Sequence, residues 1–210
     1  EDAKKAQDLG AVGLQIDLPI FHHSNQDDMV RHFTAISDAI DIGIMIYNTF
    51  WFGAESLRAE TILRMSEAQR VVAIKWSVPQ GMDYDDMRQF SHIFSVIDNS
   101  SQPVRAHKNG AAGYIDSTTA MYPAHALRVW SLMEEGRYDE AQALFDSVNN
   151  PLRKLGAKFA KNSGGYRLTK GLMAVLGRPA GPPRPPTLPL NDEEMAELQQ
   201  MVEGFGWLAA

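Results

Sequence analysis

A lysine closes one apolar run, Val71-Val72-Ala73-Ile74-Lys75, and a tyrosine closes the run before it, Gly43-Ile44-Met45-Ile46-Tyr47. An amine walled in by apolar side chains can lose its proton and attack a carbonyl carbon. A phenol beside it can move protons to and from the product, provided its neighbours perturb its high intrinsic pKa. Lys75 is therefore the candidate nucleophile and Tyr47 the candidate general acid-base. β-branched runs bounded by turn signals read as buried parallel strands. The 28 residues from Tyr47 to Lys75 hold one helix-sized segment, the crossover that a βα unit requires. Adjacent parallel strands would carry amine and phenol out at one C-terminal edge, where βα barrels do their chemistry.

The same rhythm extends along the first half of the chain. Five apolar segments end at Asp17, Tyr47, Lys75, Asp98 and Asp116, at intervals of 30, 28, 23 and 18 residues. Ser24 to Asp27 reads as a capping box, and Met29, Phe33, Ile36 and Ile40 follow on one helical face. Arg58–Ser66, Tyr84–Ser91 and Gln102–Asn109 are the next crossover helices. Alternating β and α segments argue for a parallel sheet. Beyond Asp116 the strands stop. Helices are expected at Pro123–Glu135, at Arg137–Lys161 with Pro151 kinking or splitting it, and at Tyr166–Leu176. Gly181–Leu190 holds five of the eleven prolines and reads as an extended strap. Asn191 should cap a last helix from Asp192 to about Gly204. Residues 1–122 are thus expected to form a partial βα barrel, and 123–210 the last barrel helix with a helical extension. Glu1–Leu9 reads as the end of a helix, so the chain starts in mid-pattern.

Composition sets the outer limits. The chain has 210 residues, a net charge of -6, 44% hydrophobic residues and no cysteine. Thiolate metal sites and thiol nucleophiles are excluded. The absence of cysteine fits a reducing, cytoplasmic compartment. No apolar stretch approaches the roughly 20 residues of a membrane span, and no basic cluster offers a footprint for nucleic acid. His22-His23 point in different directions without an obvious third ligand, so a wet loop or substrate contact is preferred to a metal site. Asp116, Ser117 and Thr118 follow a strand end; they would either bond substrate or cap the next helix. Phe50-Trp51-Phe52 would line a pocket or pack against a neighbouring subunit.

Several of these segments resemble one family. Gly43 to Asn48 followed by Val71 to Lys75, then Gly110-Ala-Ala-Gly113-Tyr-Ile115, Pro123, and the strap Gly181-Pro-Pro-Arg184-Pro-Pro-Thr-Leu-Pro-Leu190 before an acidic helix, follow the pattern of the dihydrodipicolinate synthase / N-acetylneuraminate lyase family. The resemblance covers essentially the whole chain. It implies an α/β fold, a TIM (β/α)8 barrel of which the fourth strand onward is visible, plus a three-helix C-terminal extension. It also implies a homo-oligomer, tetramer or dimer, with a 2-oxo acid such as pyruvate bound to Lys75 as a Schiff base and Tyr47 relaying protons. The first three βα units, which in the family help to grip the substrate carboxylate, would lie outside this chain.

Departures from the family pattern bear on specificity. Phe52 stands where dihydrodipicolinate-forming members carry an arginine, which removes a charge-assisted grip on a second carboxylate. Phe21 replaces a relay tyrosine, Trp76 replaces an acidic residue after the lysine, and Ala120 stands near the usual asparagine of the last loop. A mouth lined by Phe21, Phe50, Trp51, Phe52 and Trp76 would suit a bulky apolar or aromatic aldehyde, as in the hydratase-aldolase branch that cleaves arylidene-pyruvates.

The expected activity is a class I aldolase or hydratase-aldolase acting on a 2-oxo acid and an aldehyde, without metal or cofactor. Asn48 and Ser77 would orient substrate or water, and Phe52, Trp76, Ile115 and Asp116 would line the pocket. Two alternatives use the same lysine: a 2-oxo-acid dehydratase and a dihydrodipicolinate-synthase-like condensation. A barrel that binds or regulates without turnover is the alternative from another class.

Overall fold

The computed structural model describes residues 1–19, 22–164 and 166–208. The chain divides into two compact units, Glu1–Ile115 and Asp116–Ala210.

The first unit is a run of βα repeats. Helix α1 (Asp2–Asp8) leads into strand β1 (Gly13–Asp17). Helix α2 (Gln26–Ser37) connects to β2 (Gly43–Tyr47), and α3 (Ala59–Arg64) to β3 (Val71–Trp76). A 3-10 helix, Tyr84–Gln89, replaces the expected α-helix before β4 (Ser95–Asp98). The short α4 (Pro103–Lys108) precedes a two-residue β5 (Gly113–Tyr114). All five strands are parallel and lie in chain order, β1 to β5.

Side chains alternate across the sheet, as the pleat requires. On one face Ile44, Ile46, Ile74 and Val96 are buried against Met29, Phe33, Ile62, Met87 and Phe90. The opposite face carries Gln15, Asp17, Met45, Tyr47, Ala73 and Lys75. The capping box of α2 sits one residue later than expected. Asn25 accepts from the Asp28 amide, and the Asp28 carboxylate accepts from that of Asn25. Asn25 is as good a cap as Ser24, so residue preference did not separate the two.

The second unit is helical. It opens on a 3-10 turn, Ser117–Ala120, followed by α5 (Pro123–Glu134) and α6 (Tyr138–Phe159). Pro151 does not split α6. The proline removes only the bond to the Ser147 carbonyl, and Ser147 is exposed, so water can satisfy that oxygen. The stripe Val148, Leu152, Leu155 and Phe159 packs with Leu172 of α7 (Arg167–Val175) and with Leu198 and Val202 of α8 (Asp192–Gly204). Asn191 and Glu194 form the capping box of α8, as expected for Asn191. The strap between α7 and α8 has no regular structure.

Arg167 and Glu194 bind this unit together from inside. Both are about 95% buried. The guanidinium donates to Glu194 at 2.5 and 3.0 Å, to the Phe159 carbonyl at 2.6 Å, and to the strap carbonyls of Leu188 and Pro189 at 2.8 and 2.9 Å. The strap is thus held through backbone oxygens that a regular ladder would otherwise satisfy.

Candidate active site

Register brings the two expected groups together. Tyr47 pairs with Lys75 across β2 and β3, and Asp17 pairs with Tyr47 across β1 and β2. The Lys75 Nζ lies 3.7 Å from the centroid of the Tyr47 ring, a cation over an aromatic face. It also donates to Gln15 Oε1 in a long contact of 3.5 Å. The phenol oxygen accepts from Asn99 Nδ2 at 3.4 Å, which leaves its own hydrogen for another acceptor. Trp51 meets the Tyr47 ring edge-on at 5.5 Å. Amine, phenol and amide therefore share one face at the C-terminal edge of the sheet.

The buried framework explains why these groups hold their places. Asp98, at the end of β4 and fully buried, accepts from the Tyr84 hydroxyl at 2.6 Å and from the amides of Ser100 and Gln102 at 2.8 and 2.9 Å. Burial, reinforced by the Asp98 charge, pushes the Tyr84 phenol well above its usual range and keeps it a donor. The turn after β4 is fixed by these bonds, and Asn99 on it is presented to Tyr47. The Asn99 amide adds a bond to the Trp76 carbonyl at 2.9 Å.

Several residues expected to touch substrate have other work. Asn48 is fully buried; its Nδ2 donates to the Ser77 carbonyl at 2.6 Å and to Ser56 Oγ at 3.0 Å. Its Oδ1 accepts from the Leu57 amide at 3.0 Å. Ser77 Oγ in turn donates to the Asn48 carbonyl at 3.3 Å. The pair ties the segments after β2 and β3, which follow Tyr47 and Lys75, to each other. Trp76 is also corrected. As the neighbour of Lys75 on a strand it points to the opposite face, where it is fully buried. There its indole donates to the Tyr84 carbonyl at 3.1 Å and its ring packs edge-on against Phe90 at 5.1 Å.

The remaining expectations divide. Phe50–Phe52 form a 3-10 turn closed by Gly53 at φ +97°. Phe52 is 55% exposed, and the ring of that turn set against Tyr47 is that of Trp51. Ile115 is half-exposed, and its amide donates to the Asp98 carbonyl at 2.8 Å. Asp116 accepts from the Thr118 amide and hydroxyl and from Asn149 Nδ2 at 3.0 Å. Its carboxylate is engaged in capping the Ser117–Ala120 turn, whereas α5 has no side-chain cap. His23 Nδ1 lies 3.2 Å from the Gly53 carbonyl. Phe21 lies outside the described residues. Gln15 and Asn99, which contact Lys75 and Tyr47, were not among the expected residues. Gln15 was findable as the polar residue two before Asp17 on the face of Tyr47 and Lys75; Asn99, in a turn, carried no periodic signal.

The comparisons agree with this architecture. A profile described as the Dihydrodipicolinate synthetase family matches residues 1–204. The 4-hydroxy-tetrahydrodipicolinate synthase of Pelobacter propionicus is 28% identical over 210 residues, covering 98% of this chain and 70% of its own. That of Acidothermus cellulolyticus is 25% identical, covering 99% and 66%. The chain thus spans about two thirds of the length of these relatives. Among solved structures, dihydrodipicolinate synthase from Thermotoga maritima superposes with a TM-score of 0.80 at 21% identity, over 98% of this chain and 70% of that one. YagE from E. coli K12, a family member solved in complex with pyruvate, gives 0.78 at 17%, over 98% and 70%. The five sequential parallel strands are accordingly part of a TIM barrel, and the chain belongs to the dihydrodipicolinate synthetase family.

Proposed function

We propose that this protein is a class I lyase in which Lys75 forms a Schiff base with pyruvate or a related 2-oxo acid. The observation that carries the reading is the Lys75 amine set 3.7 Å over the Tyr47 ring, in register on adjacent strands. The neutral amine adds to the 2-oxo carbon, and loss of water leaves a protonated imine. That nitrogen draws electrons from the neighbouring carbon, which gives up a proton and becomes an enamine. The enamine carbon attacks an aldehyde, or forms when a carbon-carbon bond breaks in the reverse direction. Tyr47 supplies and accepts the protons that the oxygen atoms lose and gain.

The aldehyde partner in this reading has a bulky apolar or aromatic body laid against Trp51 and its neighbours Phe50 and Phe52. With Trp76 in the core, the aromatic wall reduces to that turn. Gln15 and Asp17 on the same face favour a second reading, a 2-oxo-acid dehydratase acting through the same lysine on a hydroxylated acid. Assembly as a homo-oligomer belongs to the proposal as well; one solved relative, at TM-score 0.82, is described as a monomeric variant.

Proton exchange tests the enamine. The full-length protein, incubated with pyruvate in D2O, should erase the pyruvate methyl signal in proton NMR at a rate proportional to enzyme. Lys75→Ala should leave the signal at the uncatalysed rate. Exchange by that variant would take the Schiff base away from Lys75, and none by the wild type would favour the barrel that binds without turnover.

A further inference from the structure

We infer that Asp17 is the specificity residue for the partner that meets the Lys75-bound 2-oxo acid, selecting one that offers a hydroxyl and rejecting one that offers a carboxylate. The inference rests on the Schiff-base reading and deepens it. Asp17 ends β1 in the row Asp17-Tyr47-Lys75 that the register of three adjacent strands defines. Neighbouring strands lie about 4.8 Å apart, so the carboxylate stands within a substrate's length of both groups. Its side is fixed by Gln15, two residues earlier on the same strand, which reaches the Lys75 amine.

Asp98, which ends β4, is buried under three hydrogen bonds. Asp17 is exposed, and among the described residues its carboxylate enters no ion pair or hydrogen bond. Among the described residues it is also the one carboxylate that the strands place on this face. A carboxylate accepts and does not donate, so its favourable partner is a hydroxyl or another N–H or O–H donor. Lys75 is the single cation of the row, and its nitrogen is uncharged in the enamine that meets the partner. A second carboxylate on the partner would then face Asp17 with no compensating charge, and like charges at close range repel. The aromatic turn supplies the apolar wall, and Asp17 with Gln15 supplies the polar end.

The test uses the full-length enzyme with matched aldehydes: benzaldehyde, its three ring-hydroxy derivatives and its three ring-carboxy derivatives, each with pyruvate. Trapping of pyruvate by borohydride on Lys75 is run first for every variant. The wild type should favour its best hydroxy aldehyde over benzaldehyde by about tenfold or more in kcat/KM, the size of one charge-assisted hydrogen bond. The carboxy series should fall below benzaldehyde. In Asp17→Asn the hydroxy preference should shrink about tenfold and the carboxy aldehydes should rise. Unchanged ratios in that variant, a wild-type preference for carboxy aldehydes, or no turnover of any hydroxy aldehyde would each overturn the inference. If Asp17→Asn traps no pyruvate, Asp17→Ser is measured in its place. Failure of both to trap would mean that Asp17 serves the lysine and does not select the partner. Failure of the wild type to trap would instead remove the lyase reading on which the inference stands.

Discussion

Tyr47 is the residue whose surroundings say most about its task. Its oxygen already accepts from Asn99, its ring carries the Lys75 amine, and its edge is held by Trp51. A ring so placed would keep its position without the hydroxyl. Tyr47→Phe should therefore fold normally and still bind pyruvate, while kcat falls about 10²- to 10⁴-fold, the usual worth of a positioned acid-base group. Steady-state kinetics with a far-UV spectrum check this; a kcat within threefold of wild type would remove Tyr47 from proton transfer. The placement of Tyr47 and Lys75 was legible because a polar group ending an apolar run stands at the edge of a buried strand. Trp76 was misread for a reason equally simple: the residue after Lys75 lies on the opposite face. Asn48 and Ser77 bond each other's loops, and no sequence pattern says whether an amide meets substrate or the next loop.

At the scale of the element, the edge is built from strands held by what lies behind them. Trp76 fills the gap between β3 and Phe90, and its indole is bonded to the segment that carries Tyr84. Trp76→Ala should cost about 3–5 kcal/mol, as large-to-small changes at buried aromatic positions do. Urea unfolding would show this as a lower midpoint, whereas the substrate-contact reading predicts an altered KM with stability intact. The periodic pattern located every strand of the first unit and the buried stripe of α2. It placed the α2 cap one residue early, because Ser24 and Asn25 are both good caps. It also gave the segment before β4 an α-helix where six residues wind into a 3-10 turn, too few for periodicity to distinguish the two.

Across the whole molecule, the helical unit depends on one buried ion pair more than on its surface charges. Exposed pairs such as Arg137–Glu140 and Lys158–Glu197 contribute little. Arg167 and Glu194 differ, because removing either carboxylate or guanidinium leaves a buried charge unpaired; Glu194→Gln should cost about 3–5 kcal/mol. Hydrogen bonds from Arg167 lead the causes that hold the Glu194 carboxyl at about 2, down from 4.5. A depressed carboxyl contributes its stability above the unfolded value and loses it as pH falls from about 4.5 towards 2. Unfolding free energy should therefore drop across that window in the wild type, and Glu194→Gln should flatten the drop. The barrel class and the Pro-rich strap were legible in the βα rhythm and the proline run. The ion pair beneath the strap was not, since 27 residues separate its partners and neither stands out from its helix. The central claim is that Lys75 is the nucleophile, and one measurement addresses it directly. The full-length protein is mixed with pyruvate, reduced with borohydride, digested, and the added mass located by peptide mass spectrometry. A reduced pyruvyl adduct on Lys75, absent from Lys75→Ala, is the predicted result. An adduct on another lysine, or none with pyruvate or a panel of 2-oxo acids, would contradict it.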